Sequence, residues 1–163
     1  MPGLLVRALI AHVDSVFEGP NGDYPAVLEA IAGLTATQAA WKPTPDSNSI
    51  WQIVEHLAAG KEWQVDMLEK GHATPSPWIQ PPGDEESWQA LIVRLKDSHA
   101  RLKTGLRRLQ DEDLLKLPDP ALNRTLLELI LSSGSAHEAH HSGQIHYLRG
   151  LQAASALIGD RRV

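Results

Sequence analysis

Asn48-Ser49-Ile50-Trp51-Gln52-Ile53-Val54-Glu55-His56-Leu57 opens the stretch on which the fold turns. Asn48 and Ser49 are both strong N-cap residues, because a short side-chain oxygen accepts from the free N–H groups of a first helical turn. Beyond them Ile50, Ile53, Val54, Leu57, Met67 and Leu68 recur at the 3.6-residue period of one helix face. The pattern lasts to about Lys70, and Gly71 follows as a residue free to take the left-handed C-cap conformation. A helix of that length, roughly 22 residues, is about 33 Å long.

Three more long helices are expected around it. Upstream, Gly3 to Phe17 carries Leu5, Leu9, Val13 and Val16 at helical spacing, and Gly19-Pro20-Asn21-Gly22 ends it. A short helix is expected from Pro25 to Leu34, then a turn opened by Thr35 to Gln38. Trp41-Lys42-Pro43-Thr44-Pro45 rules out further helix there. Downstream, a third long helix begins at Asp84 or Glu85, whose charge suits a helix N-terminus, and continues through Leu91, Leu95, Leu102, Leu106 and Leu109. Asp111 to Pro120 breaks the chain, and a fourth helix opens between Asn123 and Thr125 and reaches about Leu151. The expected fold is all-α, a four-helix bundle formed by one domain over residues 1–163. Gly71 to Gly83 is thirteen residues. Extended, such a segment spans about 43 Å, enough for helices two and three to run parallel.

Composition limits the function. The 163 residues are 42% hydrophobic and 21% charged, as in ordinary globular domains. No apolar run approaches the roughly 18–20 residues of a membrane span. Leu4 to Val13 is apolar, but Arg7 interrupts it, Asp14 follows, and no Ala-x-Ala cleavage site comes after. It reads as a helix of the mature chain, and the expected location is cytoplasmic. A net charge of −5, with no basic cluster, argues against nucleic acid as a partner. Cysteine is absent, which removes disulfides, thiolate zinc sites and a cysteine nucleophile. Eight histidines remain as the main soft ligands.

The chemistry lies in Ser135-Ala136-His137-Glu138-Ala139-His140-His141-Ser142-Gly143-Gln144-Ile145. Positions four apart on a helix differ by about 40° and one turn, so His137 and His141 project side by side. Two histidines also align by chance on solvated faces. Here the expected inner face reads Leu126, Ile130, Ser133, His137, His141, Gln144 and Leu148, and two buried unpaired imidazoles would be costly. A third ligand has to come from another helix. His56 is the natural candidate, with Gln52, Ile53, Ala59 and Gly60 one turn away and the small residues leaving space. Three neutral imidazoles with a fourth position open describe a catalytic rather than a structural metal site. Zinc and nickel both suit such ligands.

These residues carry a resemblance. Asn48 to Leu57, and His137 to Ile145 with Tyr147-Leu148-Arg149 after it, resemble the DinB/YfiT-like four-helix superfamily, as do Leu28 to Leu34, Trp41-Lys42-Pro43 and Asp111 to Leu114. That superfamily includes metal-dependent hydrolases and low-molecular-weight-thiol S-transferases. The resemblance implies an up-down-down-up bundle, a divalent metal held by His56, His137 and His141, and a homodimer. It implies an enzyme that activates a small thiol for S-transfer or a water for hydrolysis, acting on a small-molecule substrate, with a low-molecular-weight thiol as cosubstrate in the first case. A metal-binding or stress-associated dimer without turnover is the alternative; its metal would be fully coordinated, with His12 or His140 as fourth ligand.

The other candidates are weighed singly. His12 is expected inward on the first helix with Leu5, Ala8 and Val16, as a core histidine. His140 is a supporting group or alternate ligand. His72, His99 and His146 are expected at the surface. Trp63 shares the face of His56 and would wall the pocket, with Gln144 lining it or orienting a ligand. Trp51, Trp78 and Trp88 are expected in the core or at a subunit interface. Glu55 and Glu138 adjoin metal histidines but lie about 100° round the helix, so neither suits a general base. An anionic thiol would need basic residues at the pocket mouth, for which Lys61 and Arg149 are the candidates.

Overall fold

A computed structural model describes residues 1–20, 22–74 and 83–160. Trp78 lies outside the described residues. Among them the ordered elements are all helical: α1 Leu4–Phe17, α2 Val27–Ile31, α3 Ala36–Ala40, α4 Ile50–Lys70, α5 Glu85–Leu106, α6 Leu126–Leu129, a π-helical segment Ile130–Ala136, and α7 His137–Asp160. Two 3₁₀ turns, Asp111–Leu115 and Pro120–Leu122, link α5 to α6. α6, the π segment and α7 form one continuous rod, so four long helices dominate the molecule.

The helix ends follow from local chemistry. Ser49 Oγ accepts from the Gln52 N–H at 3.2 Å, while Gln52 Oε1 accepts from the Ser49 N–H at 3.0 Å, a reciprocal capping box. Gly71 closes α4 at φ +74°, where a side chain would be strained. The Asp84 carboxylate accepts from the Ser87 N–H at 2.8 Å and starts α5. Thr35 with Gln38, and Thr125 with Glu128, cap α3 and α6 in the same way.

Several boundaries differ from those expected. The short helix contracts to Val27–Ile31, α5 stops at Leu106, and the final rod runs to Asp160 rather than about Leu151. α1 buries Val6, Leu9, Val13, Val16 and Phe17, so Leu5 is 38% exposed and Ala8 and His12 face solvent. His12 is therefore no core residue. The stripe through Val6 and Phe17 is more continuously apolar than one through Leu5 and His12, and the helix turns it inward.

Apolar residues gather in two clusters. One centres on Phe17, Ile50, Leu57, Trp88, Leu95 and Ile145; the other on Val6, Val13, Val65, Leu102, Leu106 and Ile130. Trp88 is fully buried, its indole N–H donates to Leu34 O at 2.9 Å, and its ring lies 5.2 Å from that of Trp51. Both tryptophans are core, as expected.

Between the clusters in sequence stand four polar residues: Asp14, Lys61, His99 and Glu138. Lys61 is 1% exposed, with Nζ 2.7 Å from Glu138 and 2.9 Å from His99 Nδ1, and it lies over the Phe17 ring. His99, expected at the surface, is 2% exposed, and its Nε2–H donates to Asp14 Oδ1 at 2.9 Å. Both ring nitrogens are satisfied, which is what makes its burial tolerable. Lys103 closes the chain on Asp14 at 2.8 Å. Burial holds Lys61 below its ordinary value and Glu138 above its own. Burial and the neighbouring Lys61 cation push His99 down to about 3, so its ring is neutral at physiological pH.

Contacts between helices follow a consistent order. Trp51 meets Trp88, Glu62 meets Arg94 at 2.6 Å, and Glu69 meets Arg101 at 3.3 Å, so α4 and α5 pair in the same sequence order. α4 meets the final rod in the reverse order: the His56 ring lies 5.1 Å from that of His141, Lys61 pairs with Glu138, and Gln64 bonds to Ser133.

Two outcomes follow. Lys61→Met strands the Glu138 carboxylate and should lower stability in urea unfolding by about 3–5 kcal/mol, whereas Lys61→Met with Glu138→Leu should recover most of it. A single variant as stable as the double would contradict this pairing. The His99 imidazole gains protons more readily unfolded (6.5) than folded (about 3). Its contribution is therefore complete above 6.5 and is lost as pH falls toward 3. The added slope is up to about 1.4 kcal/mol per pH unit. His99→Gln should flatten the pH dependence of unfolding, measured with chelator present, between about pH 6 and 4.

Candidate metal centre

His56 lies in the first half of α4, and His137 and His141 occupy the first two turns of α7. All three are half-buried, and their ligand nitrogens lie within 4.8 Å of one another. His56 Nε2 is 2.9 Å from His137 Nε2, and His141 Nε2 is 3.0 Å from the same atom. The rings meet edge to face, with centroids 4.4–5.1 Å apart. The three imidazoles that the sequence singled out thus converge through equivalent nitrogens.

Hydrogen bonding alone does not account for this. His141 Nδ1–H donates to Gln144 Oε1 at 2.7 Å, which leaves its Nε2 with a bare lone pair. If His137 carries its proton on Nε2, it satisfies His141 but has no lone pair for His56. If it carries the proton on Nδ1, its Nε2 faces the lone pair of His141. A neutral His137 cannot make both contacts as good hydrogen bonds. A cation between the three nitrogens resolves the conflict. Metal–nitrogen bonds of about 2.0–2.1 Å place tetrahedral ligand atoms about 3.3–3.4 Å apart, so the two contacts to His137 need open by only a few tenths of an ångström. The donor set fits a divalent ion of the zinc or nickel kind.

Electrostatics favour the ligand form. Burial, with the adjacent rings of His141 and His56, pushes His137 down to about 4. Burial also holds His56 and His141 below their ordinary value. The neutral imidazole that a metal requires is already the resting form. Gln144 is exposed and bonds to two of the histidines. It orients His141 from one side, and its amide nitrogen lies 3.0 Å from His140 Nε2. His140 is exposed and adjoins the site through that amide and through its ring, 5.2 Å from that of His141. Beside His56, a methyl placed on Gly60 would meet nothing within 4 Å, so there is open room one turn along. Trp63 is half-buried on the same helix, two turns beyond His56.

The proposed basic mouth is absent at the two expected positions. Lys61 is sealed against Glu138, and Arg149 donates to Ala30 O at 2.7 Å and Ala32 O at 3.0 Å, closing off α2. Glu55 pairs with Arg94, consistent with its poor fit as a base. His72 and His146 are exposed as expected. The inner face of the final rod also differs. Glu138, Ser142 and Ile145 are its most buried residues beyond the π segment, while Gln144 is exposed and Ser133 half-buried. The π segment shifts the phase, and nothing in the hydrophobic pattern announced it beyond the run of small residues Ser132-Ser133-Gly134-Ser135. A second grouping, Asp14, Glu18 and His99, has metal-like spacing, but Lys103 Nζ already sits 2.8 Å from Asp14 and 3.1 Å from Glu18.

Comparison with known proteins identifies the family. A profile of the DinB superfamily matches residues 23–145, which include all three histidines. The chain belongs to the DinB superfamily. Searches of curated proteins and of solved structures return no match.

In metal-free protein, the His137 ring signal followed by NMR should titrate with a midpoint at about 4. A midpoint at the ordinary histidine value would mean the three rings do not crowd together in solution.

Proposed function

We propose that the protein is a divalent-metal-dependent enzyme of the DinB/YfiT-like class. In this reading His56, His137 and His141 hold zinc or nickel on an up-down-down-up four-helix bundle built as one domain. The observation that carries the reading is the convergence of three imidazoles on His137 Nε2, through two contacts that a neutral His137 cannot both make as good hydrogen bonds. The order of contacts between α4, α5 and the final rod supports the topology. A metal bound there would lower the pKa of a small thiol or of a water and so supply a nucleophile at neutral pH. The chain's own part is to keep the three rings neutral, to fix the His141 ring through Gln144, and to leave room over Gly60.

An open fourth position favours catalysis over a purely structural metal. Of the two protein groups that might have filled it, His12 is on the solvent face of α1 and His140 is engaged by Gln144. Thiol S-transfer and hydrolysis share this site, and both take a small-molecule substrate. A homodimer is part of the reading, supported by Tyr147 and Leu157, 68% and 66% exposed on α7.

Elemental analysis is expected to find divalent metal in the purified protein and little in His137→Ala. Conjugation of a small thiol to an electrophile should then depend on added metal in the parent and be lost in the variant. Equal metal content in the two proteins would remove the triad. Metal binding without thiol consumption, but with metal-dependent ester or amide cleavage, would select the hydrolytic branch.

A further inference from the structure

The final rod changes pitch immediately before the first of its two candidate ligands. Ile130–Ala136 is π-helical, and the His137 N–H reaches back five residues to Ser132 O. Segments of this kind hold one residue more than an α-helix of equal length and recur at functional sites.

The phase of burial shows what the extra residue does. Laid out as an unbroken α-helix at about 100° per residue, Leu126, Ile130, His137, His141 and Leu148 fall within about 40° of one line. On that layout the two histidines would sit in the middle of the buried face. The observed burial is different. Before the π segment it follows Leu126, Leu129 and Ile130; after it, Glu138, Ser142, Ile145 and, further along, Leu148. The second set lies roughly 100° round from the first, the rotation of a single residue. The added residue thus carries Glu138 into the core, where Lys61 meets it, and leaves His137 and His141 half-buried at the edge, facing His56.

The same segment also packs closely on α4. A Cβ on Gly134 would lie 2.9 Å from Gln64 Oε1, and Gln64 Nε2 donates to Ser133 O at 3.3 Å. Gln64 is 3% exposed, and its Oε1 has no hydrogen-bond partner among the described residues. A side chain at 134 would force that buried amide to shift.

We infer that the π turn is a positioning device for the imidazole site: its extra residue sets the rotation of the His137–His141 pair, and Gly134 against Gln64 sets its separation from His56. The inference rests on the metal-centre reading for its purpose but not for its geometry. Ser132 is exposed, so deleting it shortens the segment without removing a core side chain.

Two measurements test this. Cobalt(II) affinity and visible absorption report the ligand geometry. Cross-linking by a short bis-maleimide, in metal-free chains carrying His56→Cys and His137→Cys, reports the register without metal; the natural chain has no cysteine to interfere. The Ser132 deletion should retain helicity by circular dichroism, weaken cobalt binding by at least about tenfold, change its spectrum, and lose most of the cross-link. Gly134→Ala should weaken binding by about tenfold, and Gly134→Ala with Gln64→Ala should restore it. If the deletion does not fold, the Gly134→Ala single and double variants decide. Parent-like affinity, spectrum and cross-linking in the deletion and in Gly134→Ala would overturn the inference. Failure of the parent to bind cobalt would sink the metal reading alone, because the cross-link still decides the register.

Discussion

The buried pair of Lys61 and Glu138 is the constraint around which the molecule is arranged. Charges taken this far from water are tolerated only when geometry is good and the remaining donors are met. Here the ammonium is shared between a carboxylate and His99, and the imidazole passes the contact on to Asp14, which Lys103 holds at the surface. Four helices, α1, α4, α5 and α7, each contribute to this polar layer. Two greasy clusters could slide or rotate against each other at little loss; a layer with one correct pairing permits a single register.

That register is what the imidazoles need. Glu138 follows His137 in the chain, and Lys61 lies a little over one turn beyond His56. Locking one pair therefore brings the other into range. The division of labour is clear from burial: the charged pair is sealed in, whereas the histidines are half-exposed at the edge of the same interface. Surroundings dry enough to keep the rings neutral are combined with partial exposure of all three.

Much of this was legible in the residues. Ser49 and Gly71 mark the limits of α4 because capping is local chemistry, and the three histidines emerge from helical spacing plus one partner on another helix. The misreadings have a common cause. Lys61 and His99 look like surface residues because charge and polarity predict exposure, and only a partner distant in sequence reverses that. His12 was placed inward because the alternative stripe through Val6 and Phe17 differs by only one residue of rotation. A constant period cannot register a local change of pitch, which moves His137, His141 and Gln144 off the inner face while Leu148 stays in the core. Periodicity reports what lies within a helix; it carries no information on interruptions that tertiary packing imposes.

The short wide turn before α7 also has a mechanical meaning. A rotation introduced at one point of a rigid rod is carried by everything beyond it, so the positions that follow cannot be adjusted one by one. Glu138 goes into the interior and His137 and His141 go to its edge through the same twist. The brace and the histidines it adjoins are therefore tied to a single geometric variable, and a change in that twist would disturb both together.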